Sequence, residues 1–169
     1  MAPNQVAEWH DFFLAVSGGG AAMTGLVAVA LSMQLGPIVR DPVHLHRARM
    51  ILAGSTAMFI RCSLAMMGGQ GGRAVAVVLF TMCFAVMTMS IFSYTPVAKL
   101  PTDHRASLLR TIGGNACYAF EMLGAGLLFW GIPWGLVLAA VAMMANFVSM
   151  ISGAWLLFVG VSREATPRT

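Results

Sequence analysis

The sequence predicts an all-α protein, an integral membrane bundle of five transmembrane helices with the N-terminus outside and the C-terminus in the cytoplasm. Three observations lead to this prediction. The 169 residues are 59% hydrophobic and only 9% charged, whereas a soluble domain carries about 25% charged residues. The apolar residues fall into five long runs. If each run crosses the membrane, almost all basic residues lie on one side of the membrane. We therefore expect a single transmembrane domain over residues 1–169.

The five apolar runs cover about residues 12–35, 50–68, 74–95, 108–130 and 135–160. Each is close to or longer than the ~20 residues that cross a hydrocarbon core of ~30 Å. The fourth and fifth runs are separated by only four residues, Gly131-Ile132-Pro133-Trp134. We interpret this segment as a tight hairpin, because an interior proline removes a backbone hydrogen bond and breaks or kinks a helix.

Five spans sort the lysines and arginines onto two sides. Eight of the ten lie on one side: Arg40, Arg47, Arg49, Lys99, Arg105, Arg110, Arg163 and Arg168. The other side holds Arg73, and Arg61 lies inside the second run. Basic residues are enriched in cytoplasmic loops, so the eight mark the cytoplasmic side of the membrane. With four spans instead of five, the basic residues would no longer be concentrated on one side of the membrane.

Small residues at spacings of three and four are typical of helix faces that let another helix approach closely within lipid. Such stripes occur in four of the five runs. The expected packing residues are Gly18, Ala22, Gly25, Gly54, Gly68, Gly114 and Gly153.

Two charged residues lie inside the predicted spans. A charge at the centre of a membrane segment costs about 2.5–3.5 kcal/mol on insertion scales unless it finds a partner or water. Arg61 lies 12 residues beyond Arg49, and Glu121 lies 11 residues beyond Arg110. At 1.5 Å per residue, both lie about 17 Å into the membrane. We expect them to form an ion pair, with Asn146 and Thr24 at comparable depth completing an intramembrane polar cluster. The pair is either structural, which we favour, or part of a gating or proton-coupled site.

No recognisable catalytic or cofactor motif is present. The sequence lacks a CxxC pair, a P-loop and a GxGxxG, and its histidines, His10, His44, His46 and His104, all lie outside the five runs. We therefore expect no enzymatic activity, no cofactor and no metal. A metal held by His44, His46 and His104 is the less favoured alternative, because arginines crowd that region. The basic residues form short clusters between apolar runs, so we expect no nucleic-acid partner.

A further indication comes from short stretches along the chain. They are EWHDFF at 8–13, AMTGLVAVALS at 22–32, Asp41-Pro42, Arg47-Ala48, Gly69-Gln70, Ala145-Asn146-Phe147 and a closing Trp-Leu-Leu before a basic tail. With them the chain resembles a family of small actinobacterial integral membrane proteins, some of them named modulators of the FtsH membrane protease. It departs from that pattern in Gly-Gly-Gln, where Pro-Gly-Gln is expected, and in its high methionine content. The resemblance implies a five-helix membrane fold and implies no reaction or ligand.

These observations favour a non-enzymatic inner-membrane protein with an accessory, regulatory or scaffolding role. We expect it to lie in the lipid bilayer and to assemble through its small-residue helix faces, either with itself or within a larger membrane complex. The alternative is a homo-oligomeric ion channel or small transporter that uses Arg61 and Glu121 as an intramembrane polar site.

Overall fold

The computed structural model describes residues 8–67, 71–97 and 104–165. Within these ranges the chain forms six helices and no strand, so the all-α prediction is confirmed. The helices are α1 (His10–Met33), α2 (Leu35–Arg40), α3 (Pro42–Ala65), α4 (Gly72–Val97), α5 (His104–Phe129) and α6 (Trp134–Ala165). The five long helices correspond to the five predicted runs.

Three of the helices are long and apolar enough to cross a membrane. They are α1, α4 over Gly72–Tyr94 and α6 over Trp134–Gly160. Each also presents large apolar side chains on its outer surface, such as Leu26 (74% exposed), Phe92 (76%) and Trp155 (69%). Exposed apolar area on this scale marks a surface that lies against lipid or protein rather than water. The chain is therefore a membrane protein.

The helices are arranged around α3, which packs against α1, α2, α4 and α6. α5 packs against α4 and α6. The helices α3, α4, α5 and α6 thus form a ring in which α3 and α5 face each other across the diagonal, and α1 lies on the outside of α3. Fully buried residues from all four helices, including Met58, Leu79, Leu128 and Met143, fill the centre of this ring.

The contact between α1 and α3 depends on Gly20. A Cβ atom at Gly20 would lie only 3.1 Å from a backbone nitrogen of α3, so the two helix backbones approach closely there. Two hydroxyl pairs flank this point: Ser17 Oγ lies 2.9 Å from Ser63 Oγ, and Thr24 Oγ1 lies 2.9 Å from Ser55 Oγ. The contact therefore combines a small residue with interhelical hydrogen bonds, as membrane helices commonly do.

The predicted packing residues are only partly correct for contacts inside this chain. Gly54 and Gly153 face neighbouring helices, whereas a Cβ at Gly18, Gly25 or Gly114 would meet nothing within 4 Å in the described structure. Ala22 is exposed. Gly18, Ala22 and Gly25 lie on the side of α1 opposite Gly20. The prediction chose the wrong side because the helix has small residues all around it, and composition does not show which side faces α3. Gly68 lies outside the described residues.

The segment 36–49, predicted as a cytoplasmic loop, is largely helical. α3 begins at Pro42, eight residues before the predicted start of the second span at Met50. Asp41 caps it, since its Oδ1 accepts a hydrogen bond of 2.9 Å from the backbone nitrogen of Val43, and its Oδ2 lies 3.0 Å from His44 Nδ1. A capping aspartate followed by proline at the first helical position is a recognised helix start. The sequence contained this signal, which hydropathy alone does not detect.

The predicted hairpin between the fourth and fifth runs is confirmed. α5 ends at Phe129 and α6 begins at Trp134. Gly131 has a φ of 85°, and the Ile132 nitrogen donates a hydrogen bond of 3.0 Å to the Leu127 carbonyl. This is the Schellman ending of a helix, in which a residue with positive φ reverses the chain and satisfies the last carbonyl groups.

Two glycines bring α5 and α6 into backbone contact next to this turn. A Cβ at Gly135 would lie 2.5 Å from the Gly124 carbonyl oxygen and 2.5 Å from the Leu128 nitrogen. A Cβ at Gly124 would lie 2.6 Å from the Ala139 nitrogen. Because backbone atoms, unlike the end of a long side chain, have little freedom to move aside, these positions admit only glycine.

We predict that Gly135→Ala lowers the stability of the bundle by about 1–3 kcal/mol, because the added methyl group overpacks the contact between α5 and α6. Gly126→Ala is the matched control, since a Cβ there meets nothing within 4 Å in the described structure and alanine favours the helix. The measurement is the thermal unfolding midpoint of each purified variant in detergent. Equal midpoints for the two variants would contradict the close contact.

Candidate functional site

An ion pair lies at the centre of the bundle. Arg61 Nη2 lies 3.0 Å from Glu121 Oε2, and both side chains are 0% exposed. Arg61 comes from α3 and Glu121 from α5, so the pair crosses the diagonal of the four-helix ring. The expected contact between these two residues is therefore present in the structure. Arg61 is also the largest fully buried side chain among the described residues.

Neighbouring helices supply further contacts to the guanidinium group. Arg61 Nη1 donates a hydrogen bond of 3.1 Å to Cys83 Sγ of α4, and the Tyr118 ring of α5 has its centroid 6.0 Å from Arg61 Cζ. Glu121 is held by the 3.0 Å ion pair with Arg61 and by a hydrogen bond that the Cys83 thiol donates to its carboxylate. Cys83 thus contacts both members of a pair that is fully buried.

The structure separates the other two predicted members of the cluster. Thr24 lies in the contact between α1 and α3, beside Ser55, and takes no part in the arginine site. Asn146 is 2% exposed and its side chain interacts with Tyr118, one helical turn from Glu121. Depth alone predicted both placements, and depth does not specify the direction in which a side chain points.

Sequence reasoning missed two residues of the site, Cys83 and Tyr118. Cys83 lies on α4, which packs against both α3 and α5. Tyr118 lies three residues before Glu121, a spacing that places both on one face of a helix, and this spacing is a signal that the sequence contained. Cys83 carries no comparable signal, because cysteine in an apolar run usually behaves as a small hydrophobic residue.

A cavity of about 120 Å³ with a mostly apolar lining opens between α3, α4, α5 and α6 near the ion pair. His46 and Arg47 line it at the beginning of α3, and Tyr118 and Asn146 line it further into the bundle. The other lining residues are Val43, Met50, Ile51, Ser90, Thr111, Gly114, Ser149, Met150 and Gly153. The cavity has room for about four water molecules at their liquid volume.

Gly54 lets Tyr118 lie beside this cavity. A Cβ at Gly54 would lie 2.9 Å from Tyr118 Oη and 2.6 Å from Met150 Cε. The absent side chain thus lets Tyr118 reach across to α3, with its ring near Arg61 and its hydroxyl group near Gly54. The tyrosine therefore lines the cavity and also lies beside the ion pair.

The described lining of the cavity includes Arg47, His46 and several hydroxyl and amide side chains, and no aspartate or glutamate. Burial lowers the pKa of His46, and Arg47 and Arg49 lower it further because they disfavour another positive charge. Asn146 is buried beside Tyr118, and a hydrogen bond joins their side chains.

The described residues include no group of three or more His, Cys, Asp or Glu side chains that could hold a metal ion. Comparisons of the chain with protein-family models, curated proteins and solved structures find no match. A functional assignment must therefore rest on the ion pair and the cavity.

We predict that Arg61→Met and Glu121→Met each lower stability by about 3–5 kcal/mol, because each leaves one buried charge without a partner. The double variant should lose less than either single variant, since replacing a whole buried pair by apolar side chains is often neutral. The measurement is a double-mutant cycle of unfolding midpoints in detergent. Losses that simply add in the double variant would contradict an energetic coupling of the two residues.

Proposed function

We propose that the chain is a five-helix protein of the bacterial inner membrane in which α3 and α5 cross the bilayer as well as α1, α4 and α6. Two facts support this. α3 and α5 have 24 and 26 residues, enough for the hydrocarbon core. Their embedded charges, Arg61 and Glu121, face each other inside the bundle, while apolar residues such as Phe59 and Leu123 are exposed on their outer surfaces.

The proposed orientation places the N-terminus outside and the C-terminus in the cytoplasm. It rests on the basic residues, since the sequence assigns eight of the ten to one side of the five predicted spans. At the other end, Arg73 Cζ lies 5.8 Å from the ring centroid of Phe129, which places Arg73 beside the hairpin between α5 and α6. Basic residues favour the cytoplasmic side, so the arginine-rich end is proposed to face inward.

Within this membrane topology, we propose an accessory or scaffolding role without catalysis, exerted through association of the bundle with a second copy of itself or with a larger membrane complex. The observation that carries this proposal is the free face of α1. Gly18, Ala22 and Gly25 meet no other part of the described chain, although their spacing suits a close helix–helix contact. Lipid covers such a face poorly compared with another helix, because small residues allow two backbones to approach.

We predict that Ala22→Cys forms a disulfide-linked dimer in native membranes under mild oxidation. Cys117→Ser would serve as the background for this experiment, since Cys62 and Cys83 are fully buried. Ala145→Cys is the matched control, an exposed small residue in the middle of α6. The measurement is the fraction of dimer on a non-reducing gel. Equal crosslinking at both positions, or none at Ala22, would contradict self-association through α1 and leave a different partner protein for that face.

The second candidate function is a homo-oligomeric channel or small transporter that uses Arg61 and Glu121. The cavity favours it, because Tyr118, which lines the cavity, lies about one helical turn before Glu121. The complete burial of both charges argues against a continuous path. We therefore rank this function below the accessory role.

We predict that the purified protein in liposomes gives no proton or potassium flux above that of empty liposomes, because Arg61 and Glu121 are fully buried and paired with each other. The measurement uses a pH-sensitive dye trapped inside the vesicles, with an added ionophore as the positive control. Flux that Arg61→Met abolishes, in a variant that still inserts, would favour the channel over the accessory role.

A further inference from the structure

An apolar groove lies between α4 and α5 on the outer surface of the bundle. It holds about 240 Å³ of open space, and its lining is almost wholly apolar. The Thr81 hydroxyl group in the lining donates a hydrogen bond of 2.8 Å to the Val77 carbonyl group of its own helix, so it is already satisfied. The residues that line this α4–α5 groove include Val77, Phe80, Thr81, Gly126, Phe129 and Trp130.

A glycine keeps the α4–α5 groove open. A Cβ at Gly126 would meet nothing within 4 Å in the described structure, whereas the large side chains of Phe80 and Trp130 stand exposed beside it. Since α4 is long and apolar enough to cross a membrane, this surface faces the bilayer. An empty groove is unfavourable because its lining atoms lack van der Waals partners. A flexible, unbranched acyl chain is the part of a lipid that fits such a space.

Arg73 adds a positive charge at one end of the groove. It is exposed, and its Cζ lies 5.8 Å from the ring centroid of Phe129, which lines the groove. No ion pair within the described chain includes Arg73. A guanidinium group carries five N–H donors in its plane, and these stay available when its face lies over an aromatic ring. The groove therefore ends at a cation that can bind an anion.

Arg73 also lies at the depth where a lipid carries its phosphate group. It directly precedes the apolar run 74–95 and lies three residues before Ala76, which lines the groove. This separation is about 4–5 Å along the helix axis. Trp130 is 78% exposed at the same end, as is typical of tryptophan at the boundary between hydrocarbon and head groups. A lipid whose acyl chain follows the groove would therefore place its phosphate group near Arg73.

We propose that the α4–α5 groove binds a phospholipid, with an acyl chain in the groove and the phosphate group on Arg73. Arginine suits this role because its guanidinium group binds phosphate through two parallel hydrogen bonds. The apolar groove favours a lipid over a free phosphate ion, and the arginine favours a lipid that carries a phosphate over one that does not. The proposal rests on α4 lying in the membrane and is independent of the partner of α1.

Two substitutions test the two parts of the site separately. Gly126→Leu places a side chain in the groove. Its matched control is Gly113→Leu in the same helix, where a Cβ also meets nothing within 4 Å in the described structure but lies outside the groove. Arg73→Gln removes the cation, and its matched control is Arg49→Gln, an exposed arginine of α3 that lies outside the groove.

The experiment measures lipid binding to the purified, delipidated full-length protein by native mass spectrometry. The ligands are phosphatidylglycerol, diacylglycerol with the same acyl chains, and glycerol 3-phosphate, which has no acyl chain. The unfolding midpoint of each variant in detergent without lipid shows that it is folded.

We expect phosphatidylglycerol to bind about tenfold more tightly than either other ligand, because only it uses both parts of the site. Arg73→Gln should weaken binding of phosphatidylglycerol about tenfold, since hydrogen bonds to a charged group are lost, and should leave diacylglycerol unchanged. Gly126→Leu should weaken binding of both lipids about tenfold. Both control variants should bind all three ligands as the unmodified protein does.

Three results would overturn the proposal. Equal binding of phosphatidylglycerol and diacylglycerol would show that Arg73 contributes nothing. Binding of phosphatidylglycerol that Gly126→Leu leaves unchanged, or that glycerol 3-phosphate equals, would show that the head group binds without the groove. A loss of dimer in Gly126→Leu, with lipid binding unchanged, would assign the groove to a second copy of the chain.

Discussion

The ion pair between Arg61 and Glu121 constrains this bundle more than any other interaction. Removing each charged group from water is unfavourable by several kcal/mol, and only close approach of the opposite charge offsets that penalty. Since α3 carries the arginine and α5 the glutamate, these two helices must turn the faces that carry them toward each other. The hydrogen bond from Arg61 to Cys83 of α4 and the ring of Tyr118 add to this constraint. An apolar layer at the same depth would allow several helix orders, because lipid and side chains are equally apolar.

Several features of the fold could be predicted because they depend on one dimension, the distance along a helix. Counting residues from the helix entries placed Arg61 and Glu121 at one depth, and the structure brings them to 3.0 Å. The hairpin after Phe129 also has a local cause, the sequence Gly131-Ile132-Pro133. In both cases residue spacing and backbone chemistry alone were sufficient.

The parts that could not be predicted depend on the direction in which a helix face points. Thr24 has the right depth for the arginine site, yet it faces Ser55 in the contact between α1 and α3. Gly18 and Gly20 are two residues apart and equally small, but only Gly20 meets α3 closely. In a soluble protein, polarity would distinguish the two faces. In a membrane helix both faces are apolar, so rotation about the helix axis follows from contacts that the sequence does not display locally.

The cavity and the ion pair depend on each other through Tyr118. Its ring stays beside Arg61 and its hydroxyl group lies next to Gly54, so the same residue lies beside the charges and lines the cavity. Complete burial of both side chains strengthens the attraction between the two charges. Water that reached Glu121 would weaken the attraction and loosen the diagonal of the ring.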